Sequence, residues 1–219
     1  MRRNGFIMIR LNKKLRFFAA SLSFVAGFVD AVGFIQLGGY FVSFMSGNST
    51  RMAVSLSERL SDGVLPISLM GLFLVGVIGG SILSARSKGD HGRRMLVTLA
   101  GLVALSAIFA ATGHEQVAIL MTPIAMGAMN TMFQHDGEVS VGVTYMTGTL
   151  VKLGQRVAAA LTGGPRWTWT PYLLLWFGLV SGAIVGAVIY PYLGLQALWL
   201  PAAALFGLSF VHDRVLRHD

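Results

Sequence analysis

Two short glycine motifs, about 100 residues apart, have the residue types of an anion-binding helix start. In each motif a glycine lies among hydroxyl or amide residues, and a cation follows four residues later. Glycine permits close backbone approach, and Ser, Thr and Asn cap helix N-termini, where free N–H groups and the helix dipole attract anions. The candidate solute-path residues are Ser46, Gly47, Asn48 and Arg51 in the first motif and Thr147, Gly148, Thr149 and Lys152 in the second.

Ordinary helix packing is an alternative explanation of these motifs. Small and hydroxyl residues let membrane helices approach closely, and cations near helix ends extend to the lipid headgroups. For one motif alone this packing interpretation is the stronger. Two copies at matching positions favour a solute site in which two half-helix N-termini meet near the middle of the membrane.

Asp30 is a carboxylate within a long apolar stretch, and Asn130 is its counterpart in the second half of the chain. A charged group at such a depth costs at least ~2.5 kcal/mol on insertion scales, so we expect it to face the protein interior. Asp30 could be a protonatable relay or a cation ligand on a transport path. It could equally be a packing acid paired with Arg51 or Lys152. A path containing Asp30 and Asn130 would hold one titratable and one neutral hydrogen-bonding group.

These residues belong to an internal repeat. Residues 26–31 (AGFVDA) correspond to 126–131 (MGAMNT), and residues 44–51 correspond to 145–152, in the same order and with similar spacing. A Gly-x-x-x-Gly pattern, which allows close helix crossing, also occurs in both halves. Its glycines are Gly76, Gly80, Gly182 and Gly186. We predict a basic N-terminal segment over 1–16, a first repeat over 17–112, a second repeat over 113–211 and a tail over 212–219.

The composition points to a membrane protein. Of the 219 residues, 54% are hydrophobic and 12% are charged, about half the charged fraction of a soluble domain. There is no Cys and the five His are scattered, so we expect no metal site and no cofactor. The net charge of +8 is concentrated beside apolar stretches, which favours a lipid bilayer over nucleic acid as partner. A homo-oligomer is left open.

Six stretches are long and apolar enough to cross a bilayer, which needs about 20 residues. They are 17–37, 64–85, 95–112, 117–135, 170–190 and 193–211. The glycine motifs lie in two weaker stretches, 42–59 and 140–161. The fold class predicted is therefore an all-α membrane bundle of six spanning helices plus two re-entrant or broken helices.

Charge decides how the weaker stretches are treated. Six cations and no acid precede residue 17, so we expect a cytoplasmic N-terminus. If all eight stretches crossed, the basic loop 86–94 would lie outside, against the positive-inside rule. If the two weaker stretches enter and return on one side, this loop and the tail at 212–219 lie inside. Each half then crosses three times, and because three is an odd number the second repeat begins on the opposite side of the membrane and is inverted relative to the first. Parallel repeats in an eight-helix bundle are the alternative.

The chain resembles the YoaK family of bacterial integral membrane proteins, a domain of unknown function. The resemblance covers essentially the whole chain and is carried by residues 26–34, 41–48 and 145–150. The family usually shows Thr-Gly-Asn, and Ser46 here keeps the hydroxyl. The resemblance implies a bacterial inner-membrane location and gives no substrate.

The sequence predicts a small-solute transporter or channel with its path between the two repeats. The cations and helix starts favour an anionic or carboxylate-bearing solute over a metal cation. The alternative is a non-transporting assembly or regulatory protein whose polar residues are structural. An enzyme is not expected, because no phosphate-binding loop, HExxH or GxSxG motif and no plausible triad is present.

Overall fold

The computed structural model describes residues 13–87, 91–135, 138–139 and 142–216, and over these residues the chain is almost entirely helical. The helices are α1 (Lys13–Gln36), α2 (Met45–Glu58), α3 (Val64–Arg86), α4 (His91–Ala111), α5 (Glu115–Met129), α6 (Met146–Leu161), α7 (Thr170–Leu193) and α8 (Trp199–Leu216). Single 3-10 turns at Leu60–Gly63 and Gly194–Leu198 precede α3 and α8. Strands β1 (Gln134–His135) and β2 (Glu138–Val139) form a short antiparallel hairpin.

Helix length and apolar character together single out candidate membrane spans. Among the described residues, four helical stretches are long and apolar enough to cross a membrane: Lys13–Gln36, Val64–Arg86, His91–Ala111 and Thr170–His212, of which the last contains both α7 and α8. Helix α5 is apolar but has only 15 residues. Helices α2 and α6 have 14 and 16 residues, or roughly 21 and 24 Å, which is less than the ~30 Å hydrocarbon core. The all-α membrane class predicted from the sequence is confirmed.

In two predicted spans, the fourth and the sixth, one end lies six residues from the end of the observed helix. The fourth was expected to reach residue 135, but α5 ends at Met129. There the Asn130 and Thr131 side chains donate to carbonyl oxygens of the preceding turn, and the chain continues as turns. The sixth was expected to begin at residue 193, but Gly194, with a positive φ of 55°, ends α7. The 3-10 turn follows, and α8 begins at Trp199.

The hydrophobic core lies between α1, α4, α5 and α8, and α1 is the most enclosed of the candidate spans. Leu22 and Val29 of α1, Leu99 of α4, Met126 of α5 and Leu205 of α8 are fully buried there. The faces of α3 and α7 that point away from this core expose several large apolar side chains each. A soluble protein rarely leaves such surfaces in water, so lipid is their natural neighbour.

The helices pair across the two halves of the sequence: α1 packs on α7, α3 on α5, and α4 on α8. Glycine makes the first two crossings close. A Cβ on Gly182 would overlap the carbonyl oxygen of Phe24, and a Cβ on Gly76 would overlap the carbonyl oxygen of Ile124. Ile124 comes one hundred residues after Phe24 in the chain, which is the offset of the internal repeat. The second glycine of each pattern repeats this correspondence, because Gly186 lies against Phe28 and Gly80 lies against Ala128.

Gly76→Ala is therefore expected to destabilise the protein, whereas Gly79→Ala is expected to leave stability unchanged or slightly higher. The methyl group at residue 76 would displace the α5 backbone, an overpacking effect of typically 1–3 kcal/mol. At Gly79 a Cβ meets no atom within 4 Å, and alanine favours the helical backbone. Thermal unfolding of both variants in detergent would measure the difference. Equal melting temperatures would contradict the close α3–α5 crossing.

Candidate functional site

Asp30 holds the extended segment that leads into the first short helix. Its Oδ1 atom accepts hydrogen bonds from the backbone N–H groups of Val42 and Ser43, both at 2.9 Å. Asp30 is half-buried in the second half of α1. A packing acid paired with Arg51 or Lys152 was one of the two alternatives, and within the described chain the hydrogen bonds that hold the carboxylate come from these backbone amides. The acid thus fixes where α2 begins.

Asn130 makes the corresponding contact in the second half of the chain. Its Oδ1 accepts a hydrogen bond from the Thr144 hydroxyl at 2.9 Å, and its Nδ2 donates to the Met126 carbonyl at 3.0 Å. Thr144 precedes the N-cap residue of α6, as Ser43 precedes that of α2. We call the two contacts, Asp30 with Ser43 and Asn130 with Thr144, the paired latches.

Ser43 and Thr144 were missed as site residues. The two copies of the repeated motif begin at residues 44 and 145, and the hydroxyl residue directly before each copy lies outside them. Extending the comparison by one residue would have found both. Their partners could not be found in that way, because the latches join residues 13 and 14 positions apart across a loop.

Asn48 closes a second loop and has no chemical equivalent in the other motif. Its Oδ1 accepts the N–H of Phe41 at 2.9 Å, and its Nδ2 donates to the carbonyl of the same residue at 2.6 Å. Asn48 is fully buried. The matching residue, Thr149, instead donates to the Tyr145 carbonyl within its own helix. Asn48 therefore rigidifies the turn into α2, whereas no such clamp is seen at the start of α6 among the residues that the structure describes.

Both short helices begin two residues before the motif glycine. Helix α2 starts at Met45 and α6 at Met146, so Gly47 and Gly148 are the third residue of each. Neither N-cap residue, Phe44 or Tyr145, makes a side-chain capping bond. The helix starts thus offer backbone N–H groups near the predicted positions, as a half-helix anion site requires.

The two helix starts reach the same central helix at different depths. Asp30 of α1 holds the segment before α2, while Ser23 of α1 donates to the carbonyl of Val143, just before α6, at 2.9 Å. Asp30 lies seven helical positions after Ser23, or roughly 10 Å along the helix axis. The segments approach each other along α1 without meeting at one level.

The two cations lie on helices with different neighbours, since α2 packs on α3 and α6 packs on α7. The Arg51 guanidinium lies 5.1 Å from the centre of the Tyr40 ring and beside Gly39. Lys152 is exposed on α6. Of the other predicted path residues, the protein encloses Asn48, Asn130 and Thr149 and half-buries Asp30 and Gly47, whereas Ser46, Thr147 and Gly148 are exposed.

A cavity of about 710 Å³ opens at the C-terminal end of α1, between α1, α3 and α5. Tyr40, Gln36 and Asp62 are among the residues that line this cavity. The Arg51 guanidinium lies over the Tyr40 ring. Gln36 also bonds to the Tyr190 hydroxyl and to a carboxylate oxygen of Glu115. Half of the ten lining residues are polar, and an opening of this size beside a cation can admit a small molecule with a polar group.

Comparison with known proteins identifies the family. The chain is 33% identical over 191 residues to the UPF0700 transmembrane protein RA0705 of Rhizobium meliloti (strain 1021), a match that covers 87% of this chain and 82% of the relative. It is 24% identical over 202 residues to the UPF0700 transmembrane protein YoaK of Bacillus subtilis (strain 168), covering 85% and 89%. No solved structure matches the chain. The family model described as "Protein of unknown function (DUF1275)" matches residues 18–211, so the chain belongs to this family of transmembrane proteins.

Proposed function

We propose that this chain is a small-solute transporter or channel of the bacterial inner membrane, with its path between two inverted repeats. The observation that carries the proposal is the pair of latches. In each half, a polar side chain on or directly after a core helix holds the entry to a short helix that is less apolar than the six proposed spans. Broken or re-entrant helices at a repeat interface are where transporters bind their solutes.

The exchanged helix pairs support two repeats related by a two-fold axis, and the number of crossings in each half favours the inverted form. Helix α1 of the first half packs on α7 of the second, and α5 of the second half packs on α3 of the first, through glycines at corresponding positions. This is the pattern expected of two repeats related by a two-fold axis. Each half would contribute three crossings, from α1, α3 and α4 and from α5, α7 and α8. An odd number of crossings sets the halves in opposite directions, with both termini cytoplasmic.

The proposed solute is anionic or carries a carboxylate. Arg51 beside the 710 Å³ cavity supplies positive charge at one end of the path, and Lys152 on α6 supplies it at the other. The uncapped starts of α2 and α6 add backbone N–H donors. Asp30 provides the titratable group between them. The alternative, a non-transporting assembly or regulatory protein, would use the same latches for packing alone.

Cysteine labelling is expected to place residue 114 outside. With six crossings His114 lies outside, whereas with eight it lies inside. Because the chain has no Cys, single substitutions report cleanly. His114→Cys should react with an impermeant maleimide added to intact cells. Tyr192→Cys and Leu161→Cys are matched controls, because the native side chains are 83% and 82% exposed. Both topologies place residue 192 outside and residue 161 inside. Labelling of residue 161 but not residue 114 would rule out the proposed orientation.

Flux measurements in proteoliposomes test the function itself. Purified protein should carry a subset of radiolabelled organic carboxylates or inorganic anions across vesicles at rates above those of protein-free vesicles. Cationic and neutral solutes of similar size should be carried poorly. Folded protein that moves no member of such a panel faster than empty vesicles would support the non-transporting alternative.

A further inference from the structure

A continuous groove runs along one side of α1, between α7 and α8. Three adjoining cavities form it, of about 410, 490 and 120 Å³. The first two share Phe17, and the second and third share Phe24, Val25 and Ala204. From Arg16 to Phe28 the groove follows 12 helical positions, or roughly 18 Å. This is close to the ~15 Å of hydrocarbon in one bilayer leaflet.

The groove changes from basic to apolar along its length. Lys13 and Arg16 line its first section, where Thr170 and Pro171 at the start of α7 form the other wall. Beyond Phe17 the lining is apolar apart from Ser21. Small residues such as Gly207 of α8 leave the space open, and a Cβ there would meet no atom within 4 Å. Two cations above an apolar channel of leaflet depth match the charge and shape of an anionic phospholipid.

We propose that this groove binds one anionic phospholipid from the leaflet that contains Lys13. One acyl chain would lie along α1 between α7 and α8, and the phosphate would lie between Lys13, Arg16 and the first turn of α7. Basic pockets between transmembrane helices bind lipid headgroups in this way. The site is separate from the solute path, because no residue of the paired latches lines it. It does not depend on the proposed transport.

Native mass spectrometry of the full chain, released from detergent, would test the site. The protein is offered equal amounts of phosphatidylglycerol and phosphatidylcholine with identical acyl chains. We expect one retained phosphatidylglycerol, at least tenfold preferred, because the two cations near the headgroup attract its negative charge. Lys13→Gln/Arg16→Gln should reduce the preference about tenfold. The matched control Arg86→Gln/Arg94→Gln removes two exposed cations that do not line the groove and should leave the preference unchanged.

The acyl-chain seat is tested separately from the headgroup site. Gly207→Leu fills the groove and should abolish retention, whereas Gly101→Leu, at another helical glycine whose Cβ meets no atom within 4 Å, should not. Size-exclusion chromatography checks that each variant is folded. Equal retention of both lipids by the wild type, or unchanged retention by Gly207→Leu, would overturn the proposal. So would displacement of the lipid by millimolar glycerol 3-phosphate, which would indicate a site for a soluble anion.

Discussion

Replacing Asp30 by asparagine is expected to leave the protein folded and to abolish pH-dependent solute flux. An asparagine Oδ1 can accept the same two bonds from the N–H groups of Val42 and Ser43. Asn130 shows that an asparagine can act as the acceptor in such a contact, because its Oδ1 accepts a bond from the Thr144 hydroxyl. What the change removes is the charge and the exchangeable proton. Flux in proteoliposomes over a pH series, divided by the amount of folded protein, is the measurement. In the variant, both paired latches would have a neutral asparagine as the acceptor, at residue 30 and at residue 130.

Asp30→Ala separates the hydrogen bonds from the charge. It leaves both backbone N–H groups without their acceptor, at roughly 1–3 kcal/mol each, and lipid offers no replacement partner. We therefore expect less folded protein and a lower melting temperature than for Asp30→Asn. If the asparagine variant keeps wild-type flux and pH profile per folded molecule, the carboxylate only holds the loop. If it fails to fold, the charge itself is structural, which also counts against the relay.

Helix positions were largely predictable from the sequence, because lipid enforces long apolar runs. The expected stretches 64–85 and 170–190 appear as Val64–Arg86 and Thr170–Leu193. The four pattern glycines, such as Gly182, lie against neighbouring backbone because only a residue without Cβ fits there. Pattern alone identified both the apolar runs and the small-residue crossings, since each is a local property of the chain.

The contacts within the site were not predictable, because they depend on how loops fold back. A search for a charged partner suggested Arg51 or Lys152 for Asp30, but two backbone amides in the loop after α1 donate to the carboxylate. Arg51 instead lies over Tyr40, eleven residues before it in the chain. Backbone donors leave no trace in a sequence, so reasoning from side chains alone pairs charges that the fold keeps apart.

Replacing Arg51 and Lys152 by glutamine is expected to slow anion flux about tenfold each, and together to reduce it to background. A hydrogen bond to a charged group contributes roughly 1.5–3 kcal/mol, and 1.4 kcal/mol corresponds to a factor of ten. Because the proposed six-crossing arrangement puts α2 on the outer side and α6 on the cytoplasmic side, we expect each variant to act from one side of the membrane. Sided uptake and efflux from oriented vesicles would resolve this.

Two control variants distinguish a solute site from a general charge effect. Arg59→Gln removes an exposed cation directly after α2 and should leave flux unchanged. Arg51→Lys keeps the charge and should retain most of it, although it loses the planar stacking on Tyr40. If Arg59→Gln slows flux as much as Arg51→Gln, the effect is surface potential, and no solute site at α2 is required. If the Arg51→Gln/Lys152→Gln variant carries anions at the wild-type rate, the path does not use either cation, and the anionic solute class is wrong.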